Sequence, residues 1–194
     1  MVFHPQVFAE DPAKTLSNLI DQESTARIRL LLEFGIVISQ ALTAVWFYKL
    51  FKNINEFGAW TLGIWGTVNA VAIMISGIAI AAAISIANGD ASMDSKLMAV
   101  EMLQSVSANA WGVGSLFFGL WLFPMGWIVI KSGRMPIWLG RLVLIGGIGY
   151  VLSTILGYSG ADLAFSSYLS LPATAGEFWM IGYLLIFGIR PESE

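Results

Sequence analysis

The sequence has few charged residues, no cysteine and a single histidine. Only 10 Lys and Arg and 13 Asp and Glu occur among 194 residues, so 12% of the chain is charged, about half of the roughly 25% typical of soluble domains. The lack of cysteine excludes a disulfide scaffold, an iron–sulfur or zinc-finger protein and a thiol enzyme. The net charge of -3 and the lack of a basic patch argue against nucleic acid as a partner.

Apolar residues dominate the rest of the chain. They make up 57% of it, and the mean hydropathy is +0.74. A helix that crosses the hydrocarbon core of a bilayer needs about 20 mostly apolar residues. Five stretches meet that requirement, and turn-forming Asn, Gly, Ser and Pro residues separate them. The sequence therefore predicts an all-α integral membrane protein, a bundle of five transmembrane helices at residues 28–51, 57–87, 107–130, 136–158 and 172–189.

Composition divides the chain into three regions. Residues 1–27 hold four acidic residues and two prolines and are predicted to be an extramembrane segment. The later part of this segment fits an amphipathic helix that lies against the bundle or the membrane surface, and a partly ordered tail is the alternative. Residues 28–190 form the bundle, in which a helix at 93–106 leads into the third span. Residues 191–194 are a C-terminal tail.

Basic residues near the span ends predict the orientation. In short loops Lys and Arg favour the cytoplasmic side of the membrane. The first and third connections and the C-terminal end contain most of them: Lys49, Lys52, Lys131, Arg134, Arg141 and Arg190. We therefore expect the C-terminus inside and the N-terminal segment outside. Three basic residues then lie outside, against the rule: Lys14, Arg27 and Arg29.

Three carboxylates lie in or close to the spans, where ionisable groups are costly and are functional candidates by default. They are Glu33, Glu101 and Glu177, and in the predicted topology all three fall near the outer boundary. The pattern predicts a polar cluster at the outer mouth of the bundle that binds a cation, relays protons or holds a polar head group. The alternative is that each carboxylate pairs with Arg27, Arg29 or a backbone N–H.

A second set of polar and aromatic residues is predicted to line a cavity between the helices: Gln40, Asn69, Asn109, Trp111 and Trp121. Structural hydrogen bonds and aromatic packing are the alternatives for this set. Small residues at helical spacing predict seams where helices pack closely. One stripe is Glu101, Ser105, Ala108, Gly112, Ser115 and Gly119, and another is Gly149, Ser153 and Gly157.

Motifs rich in glycine and aromatic residues follow in a fixed order: Ser115-Leu116-Phe117-Phe118-Gly119-Leu120-Trp121, Gly146-Gly147-Ile148-Gly149-Tyr150 and Leu171-Pro172-Ala173-Thr174-Ala175-Gly176-Glu177. From about residue 11 to residue 190 the chain resembles the small bacterial and archaeal membrane proteins grouped as domain of unknown function 4386. The resemblance implies a multi-pass protein of a prokaryotic cell (inner) membrane. Members of that family usually begin with a further membrane helix, which this chain is expected to lack, and often have His where Trp121 stands.

The residues give little support to cofactor-based functions. The spans contain no histidine for haem and no deep lysine for a retinal Schiff base, so no cofactor is identified, and no catalytic or metal-binding set emerges. The leading prediction is a non-enzymatic protein that binds a lipid or another amphipathic ligand, or an accessory subunit of a membrane complex. The first alternative is an ion- or proton-coupled transporter that uses the three carboxylates, and the second is a lipid-modifying enzyme. The expected partners are membrane lipid and either another protein or further copies of the chain.

Overall fold

The computed structural model describes residues 7–9, 11–160 and 166–188. Within this part of the chain the regular structure is helical: α1 (Pro12–Asp21), α2 (Glu23–Phe51), α3 (Glu56–Ala87), α4 (Met93–Ser132), α5 (Ile137–Tyr158), a 3-10 turn (Ser166–Ser170) and α6 (Leu171–Phe187). Helices α2 to α5, and α6 together with the last part of the turn, are long and apolar enough to cross a membrane. The protein is therefore an all-α multi-pass membrane protein.

The five predicted spans are confirmed, with shifted ends. Helix α2 begins at Glu23, because Gln22 leaves the helical conformation (φ -122°, ψ 39°) and separates α1 from α2. Arg27 therefore belongs to α2, and the predicted limit of the extramembrane segment at residue 27 stays a prediction. Helix α4 is one element of 40 residues, so the helix predicted to lead into the third span is continuous with it. The predicted tail at 191–194 lies outside the described residues.

The chain divides into two compact units. Unit 1 consists of residues 1–39 and 70–112, and unit 2 consists of residues 40–69 and 113–194. Helices α2, α3 and α4 each contribute one part to each unit, whereas α1 belongs to unit 1 and α5 and α6 belong to unit 2.

In unit 1 the N-terminal segment packs against the other helices. The Asp11 carboxylate accepts a hydrogen bond from the Ala13 N–H (3.0 Å) and caps α1, with Pro12 in the first turn. Helix α1 buries Leu16 and Leu19. They join an apolar core with residues of the preceding segment, α2, α3 and α4: Val7, Phe8, Ala26, Ile80, Ala83, Ile84, Ala87 and Val100. The later part of the N-terminal segment thus forms a helix that packs against the bundle, which is one of the alternatives that the sequence predicts for it.

In unit 2 the helices approach one another through glycine. A Cβ added at Gly126 would lie 2.7 Å from the carbonyl oxygen of Gly140, so α4 and α5 meet backbone to backbone. A Cβ at Gly146 would lie 2.6 Å from the backbone nitrogen of Ala173 on α6. Gly133 in the α4–α5 turn has φ +63°, a conformation that favours glycine. The core of the unit includes Phe51, Leu62, Trp121, Leu122, Ile128, Leu139, Val143 and Tyr183.

Large apolar side chains project from the helices instead of filling a core. Phe57 on α3 is 83% exposed and Leu185 on α6 is 81% exposed. Such exposure is costly in water, where large apolar patches are rare. In a bilayer the same side chains contact lipid tails, which are as apolar as they are.

Candidate functional sites

A charged pair is buried in unit 1. The side chains of Arg29 and Glu33 on α2 are 5% and 3% exposed, and the Nη2 and Oε2 atoms lie 3.6 Å apart. The indole N–H of Trp111 on α4 donates to the other carboxylate oxygen of Glu33 at 3.2 Å. The ring of Phe8 lies against the guanidinium group, 5.0 Å from Cζ of Arg29 to the ring centroid. The carboxylate thus has a charge partner and a hydrogen-bond donor, which offset the cost of its burial.

Hydrogen bonds hold the short segment that carries Phe8. The Ala9 N–H donates to the Thr15 hydroxyl at 2.9 Å, and the side-chain amide of Gln104 donates to the Ala9 carbonyl at 2.7 Å. The hydroxyl of Thr15 also donates to the Gln104 side chain at 3.1 Å. The segment is therefore tied both to α1 and to the start of α4.

The structure does not bring Glu33 and Glu101 together. Glu33 contacts α4 at Trp111, ten residues after Glu101, and ten residues span about 15 Å at 1.5 Å per residue. Glu101 is exposed. Hydropathy places span ends only to within several residues and does not determine how helices align, and the outer polar cluster of the three carboxylates stays a prediction. Among the described residues no three His, Cys, Asp or Glu side chains form a group that could hold a metal ion.

Glu177 on α6 is half-buried in unit 2. Its Oε1 atom is buried and has no hydrogen-bond partner among the described residues. The carboxylate interacts electrostatically with the side chain of Tyr150 on α5. The Tyr150 ring packs edge-on against Phe118, with 5.1 Å between the ring centroids. The structure thus buries one carboxylate oxygen of Glu177 inside unit 2.

Three of the five residues predicted to line a cavity belong to unit 2. Asn69 and Trp121 are buried there, and Gln40 is half-buried. The Asn69 amide donates to the Gly114 carbonyl at 2.7 Å. The Trp121 ring packs between aromatic neighbours, with centroid distances of 5.9 Å to Phe47 and 5.7 Å to Phe118. The structure thus places these three side chains inside the unit.

The other two residues of that set lie on α4 within unit 1 and face different ways. Trp111 is half-buried and bonds to Glu33. Asn109 is exposed, and its side-chain amide donates to the Ser105 carbonyl of its own helix at 2.9 Å. Two residues along a helix turn the direction by about 200°, so Asn109 points away from the interior that Trp111 enters. The structure thus places Asn109 at the surface of unit 1, and its role in a cavity lining stays a prediction.

Two apolar grooves lie in unit 2, along the first half of α3. The α2–α3 groove has a volume of about 340 Å³ and is lined by Ala44, Val45, Tyr48, Trp60, Gly63, Ile64, Thr67 and Val68. The α3–α4 groove has a volume of about 410 Å³ and is lined by Asn55, Phe57, Gly58, Thr61, Trp65, Phe123, Pro124, Trp127 and Leu144. Both are open at the surface and mostly apolar, so they suit a hydrocarbon chain better than a polar solute.

Basic side chains stand over tryptophan rings near the span ends of unit 2. Among the described residues of unit 2 three pairs occur: Lys49 with Trp46 (4.7 Å to the ring centroid), Lys131 with Trp127 (5.0 Å) and Arg141 with Trp138 (4.5 Å). Trp127 also lines the α3–α4 groove. The sequence analysis missed these pairs. The signal that could have found them is the repeated spacing of three or four residues between Trp and a basic residue at a span end.

Comparison with known proteins adds a family. The family model described as Domain of unknown function (DUF4386) matches residues 1–188. Over 69 residues the chain is 38% identical to an uncharacterized protein of Archaeoglobus fulgidus, a match that covers 36% of this chain and 43% of that protein. The chain thus spans less than half the length of this relative. It matches no solved structure.

Proposed function

The chain belongs to the DUF4386 family, as its motifs predict, and on this premise we propose that it binds an anionic amphipathic lipid in the α3–α4 groove. The observation that carries the proposal is that Lys131 stands over the ring of Trp127, and Trp127 lines this groove. A hydrocarbon chain fits the apolar groove, and a phosphate group fits the ammonium group beside it.

The apolar groove and Lys131 lie at the depths that the acyl chain and the head group of a lipid in one leaflet occupy. Lys131 lies one turn after Trp127 on α4, next to the α4–α5 turn. Tryptophan favours the level of the head groups, and a lysine there extends its ammonium group into the polar region. The acyl chain of a bound lipid would lie along Trp65 and Phe123, deeper in the groove. In the orientation proposed below, this is the cytoplasmic leaflet.

Lipid selectivity tests the proposal. The protein is reconstituted into nanodiscs with spin-labelled phosphatidylglycerol or phosphatidylcholine, and the association constant of each lipid is measured relative to the bulk lipid. A basic residue near the membrane surface contributes about 1 kcal/mol to the binding of an anionic lipid. Lys131→Gln should therefore lower the preference for phosphatidylglycerol roughly fivefold.

A matched variant and a filled groove complete the test. Lys49→Gln removes a lysine that also stands over a tryptophan, but Trp46 lines neither groove, so the preference should not change. Thr61→Trp fills the α3–α4 groove and should reduce the association of both lipids. Equal effects of Lys131→Gln and Lys49→Gln would show a general surface attraction and contradict a specific site.

Ion- or proton-coupled transport is the second candidate, and the buried Glu33 carboxylate favours it. Arg29 and Trp111 hold this ionisable group inside unit 1, where the hydroxyls of Ser76 and Ser107 form a buried pair 2.7 Å apart. Carboxylates within membrane spans often mark proton paths. In proteoliposomes with an internal pH indicator, transport predicts a proton flux that Glu33→Gln abolishes. A wild-type protein that passes no protons under an imposed gradient contradicts this candidate.

The surroundings of the protein belong to the same proposal. We place it in a prokaryotic cell (inner) membrane, with the N-terminal segment outside and the C-terminus inside, because the α2–α3 and α4–α5 connections carry the basic residues. Membrane lipid is the proposed ligand and partner. Association with another protein or with further copies of the chain stays a prediction.

A further inference from the structure

Arg141 on α5 is a second basic residue close to the α3–α4 groove. Its side chain is exposed, and its guanidinium group stands over the Trp138 ring, 4.5 Å from Cζ to the ring centroid. Leu144, three residues further along α5, lines the groove. Residues three apart are neighbours on one face of a helix. Arg141 therefore lies on the same face of α5 as a groove-lining residue, but nearer to the α4–α5 turn.

Lys131 has the corresponding position on α4. It follows Trp127 by four residues, and Trp127 lines the same groove. Because α4 and α5 pack together as antiparallel helices joined by a short turn, a forward step along α4 and a backward step along α5 lead in the same direction. Lys131 and Arg141 therefore both lie between the groove-lining residues and the turn, one on each helix.

The close approach of α4 and α5 limits the distance between the two cations. A Cβ added at Gly140 would lie 3.1 Å from the backbone nitrogen of Ile130. Lys131 follows Ile130 and Arg141 follows Gly140, and consecutive Cα atoms are about 3.8 Å apart. The Cα atoms of Lys131 and Arg141 are thus at most about 14 Å apart. Both side chains carry their charge at the end of a stem of three or four methylene groups, so the two can reach one phosphate group.

Two cations at one head-group position favour a head group with two negative charges. A phosphate monoester carries about 1.5 to 2 negative charges at neutral pH, whereas a phosphate diester carries a single charge. A guanidinium group can hold two phosphate oxygens at once, and an ammonium group acts as a point charge beside them. We propose that the groove selects a lipid whose head group is a phosphate monoester, with Arg141 and Lys131 on the same phosphate. This selectivity rests on the lipid site of the function proposed above and names the class of lipid that the site prefers.

Two lipids that differ by one methyl group test the charge requirement. Spin-labelled phosphatidic acid is a phosphate monoester, and spin-labelled phosphatidylmethanol is its methyl diester. The association constant of each with the protein in nanodiscs is measured relative to the bulk lipid. One basic residue near the membrane surface changes the binding of an anionic lipid about fivefold, so phosphatidic acid should bind roughly fivefold more tightly than phosphatidylmethanol. Equal association constants would overturn the proposed selectivity.

One variant and a matched control assign the preference to Arg141. Arg141→Gln changes an exposed side chain and should bring the ratio of the two association constants close to one. Lys49→Gln also removes a cation that stands over a tryptophan, but Trp46 lines neither groove, so the ratio should stay that of the wild type. An unchanged ratio in Arg141→Gln, or an equal loss in both variants, would contradict a shared phosphate site.

Comparison with phosphatidylcholine separates lipid selectivity from lipid binding. A wild-type protein that prefers phosphatidylmethanol to phosphatidylcholine, but binds phosphatidic acid no more tightly, keeps the anionic-lipid site and loses the monoester selectivity. A protein that prefers neither anionic lipid to phosphatidylcholine loses both. Cardiolipin carries two diester phosphates on one head group, and its binding more tightly than phosphatidic acid would contradict recognition of a monoester.

Discussion

Arg29 and Glu33 lie one turn apart on α2, and each is buried beside the other. Their contact differs from that of Arg27 with Glu23 on the same helix, where the side chains are 63% and 37% exposed. Exposed pairs of this spacing contribute about 0.3–0.5 kcal/mol. The buried pair has a different energy balance, because loss of one partner leaves the other charge in an apolar interior.

Glu33→Gln should destabilise the protein for this reason. Removal of one partner of a buried ion pair typically costs about 3–5 kcal/mol, whereas Glu101→Gln at an exposed position should change the free energy of unfolding by less than about 0.5 kcal/mol. Unfolding by sodium dodecyl sulfate in mixed micelles, followed by circular dichroism, measures both. The double variant Arg29→Met/Glu33→Gln should recover part of the loss. Wild-type stability of Glu33→Gln alone would show that the pair is not coupled.

At the scale of elements, glycine positions determine which helix faces meet. On α5, a Cβ added at Gly149 would overlap the carbonyl oxygen of Leu169 in the 3-10 turn, whereas one added at Gly157 would meet nothing within 4 Å. The sequence predicted a single seam through Gly149, Ser153 and Gly157. The observed close contacts of α5 glycines lie at Gly140, Gly146, Gly147 and Gly149, so Gly149 belongs to a seam and Gly157 does not.

The same substitution at two positions of α5 tests this assignment. Gly149→Ala should destabilise the protein by roughly 1–3 kcal/mol or more, because the added methyl group forces the backbone of the 3-10 turn away. Gly157→Ala should be neutral or stabilise the helix by up to about 1 kcal/mol, because alanine is the better helix former. Thermal unfolding of the two variants in detergent compares them. Equal stability would refute the seam at Gly149.

A seam on α4 gives a second comparison. A Cβ at Gly119 would lie 2.8 Å from the Cβ of Tyr150 and 3.0 Å from the backbone nitrogen of Val151. Gly119→Leu should therefore lower the melting temperature strongly, because α4 and α5 must separate. Val113→Leu changes an exposed position of the same helix and should be mild. Similar melting temperatures for the two variants would contradict the predicted stripe through Gly119.

Hydropathy sufficed to predict the five spans, but not the faces through which they pack. Ile78 is 59% exposed and Ile80 is fully buried, two positions apart on α3. In a water-soluble protein the exposed and buried faces of a helix differ in sequence, because one is polar and the other apolar. In a membrane helix the lipid-facing and core-facing residues have similar composition. Because polar groups avoid lipid, the sequence could indicate that Gln40 and Asn69 turn away from it, whereas the cavity that they and Trp121 are predicted to line stays a prediction. Whether Glu33 and Glu101 lie close together could not be judged from the sequence, because it depends on how α2 and α4 align.

At the scale of the whole molecule, the proposed orientation predicts which connections face the cytoplasm. Asn53 lies in the α2–α3 connection and Ser132 at the α4–α5 connection, whereas Ser92 and Ser159 lie in or beside the other two. The chain has no cysteine, so single cysteines can be placed at these four positions without background.

Labelling of intact cells with an impermeant thiol reagent measures this orientation. Ser92→Cys and Ser159→Cys should react, and Asn53→Cys and Ser132→Cys should react only after the membrane is permeabilised, because basic connections stay on the cytoplasmic side. Reaction of Ser132→Cys in intact cells would reverse the topology. It would also move the lipid site beside Lys131 to the outer leaflet.

The hydrogen bonds between the N-terminal segment and Gln104 constrain the order of biosynthesis. Thr15 and Ala9 are 89 and 95 residues away from Gln104 in the chain. At about 5–20 residues per second, a ribosome needs roughly 5 to 18 s to make the intervening chain. Phe8 and α1 therefore emerge long before their partner on α4 exists, and α2 must enter the membrane with Arg29 and Glu33 before Trp111 can reach them. The N-terminal segment takes its final place only after the fourth helix is made, as a late step of assembly.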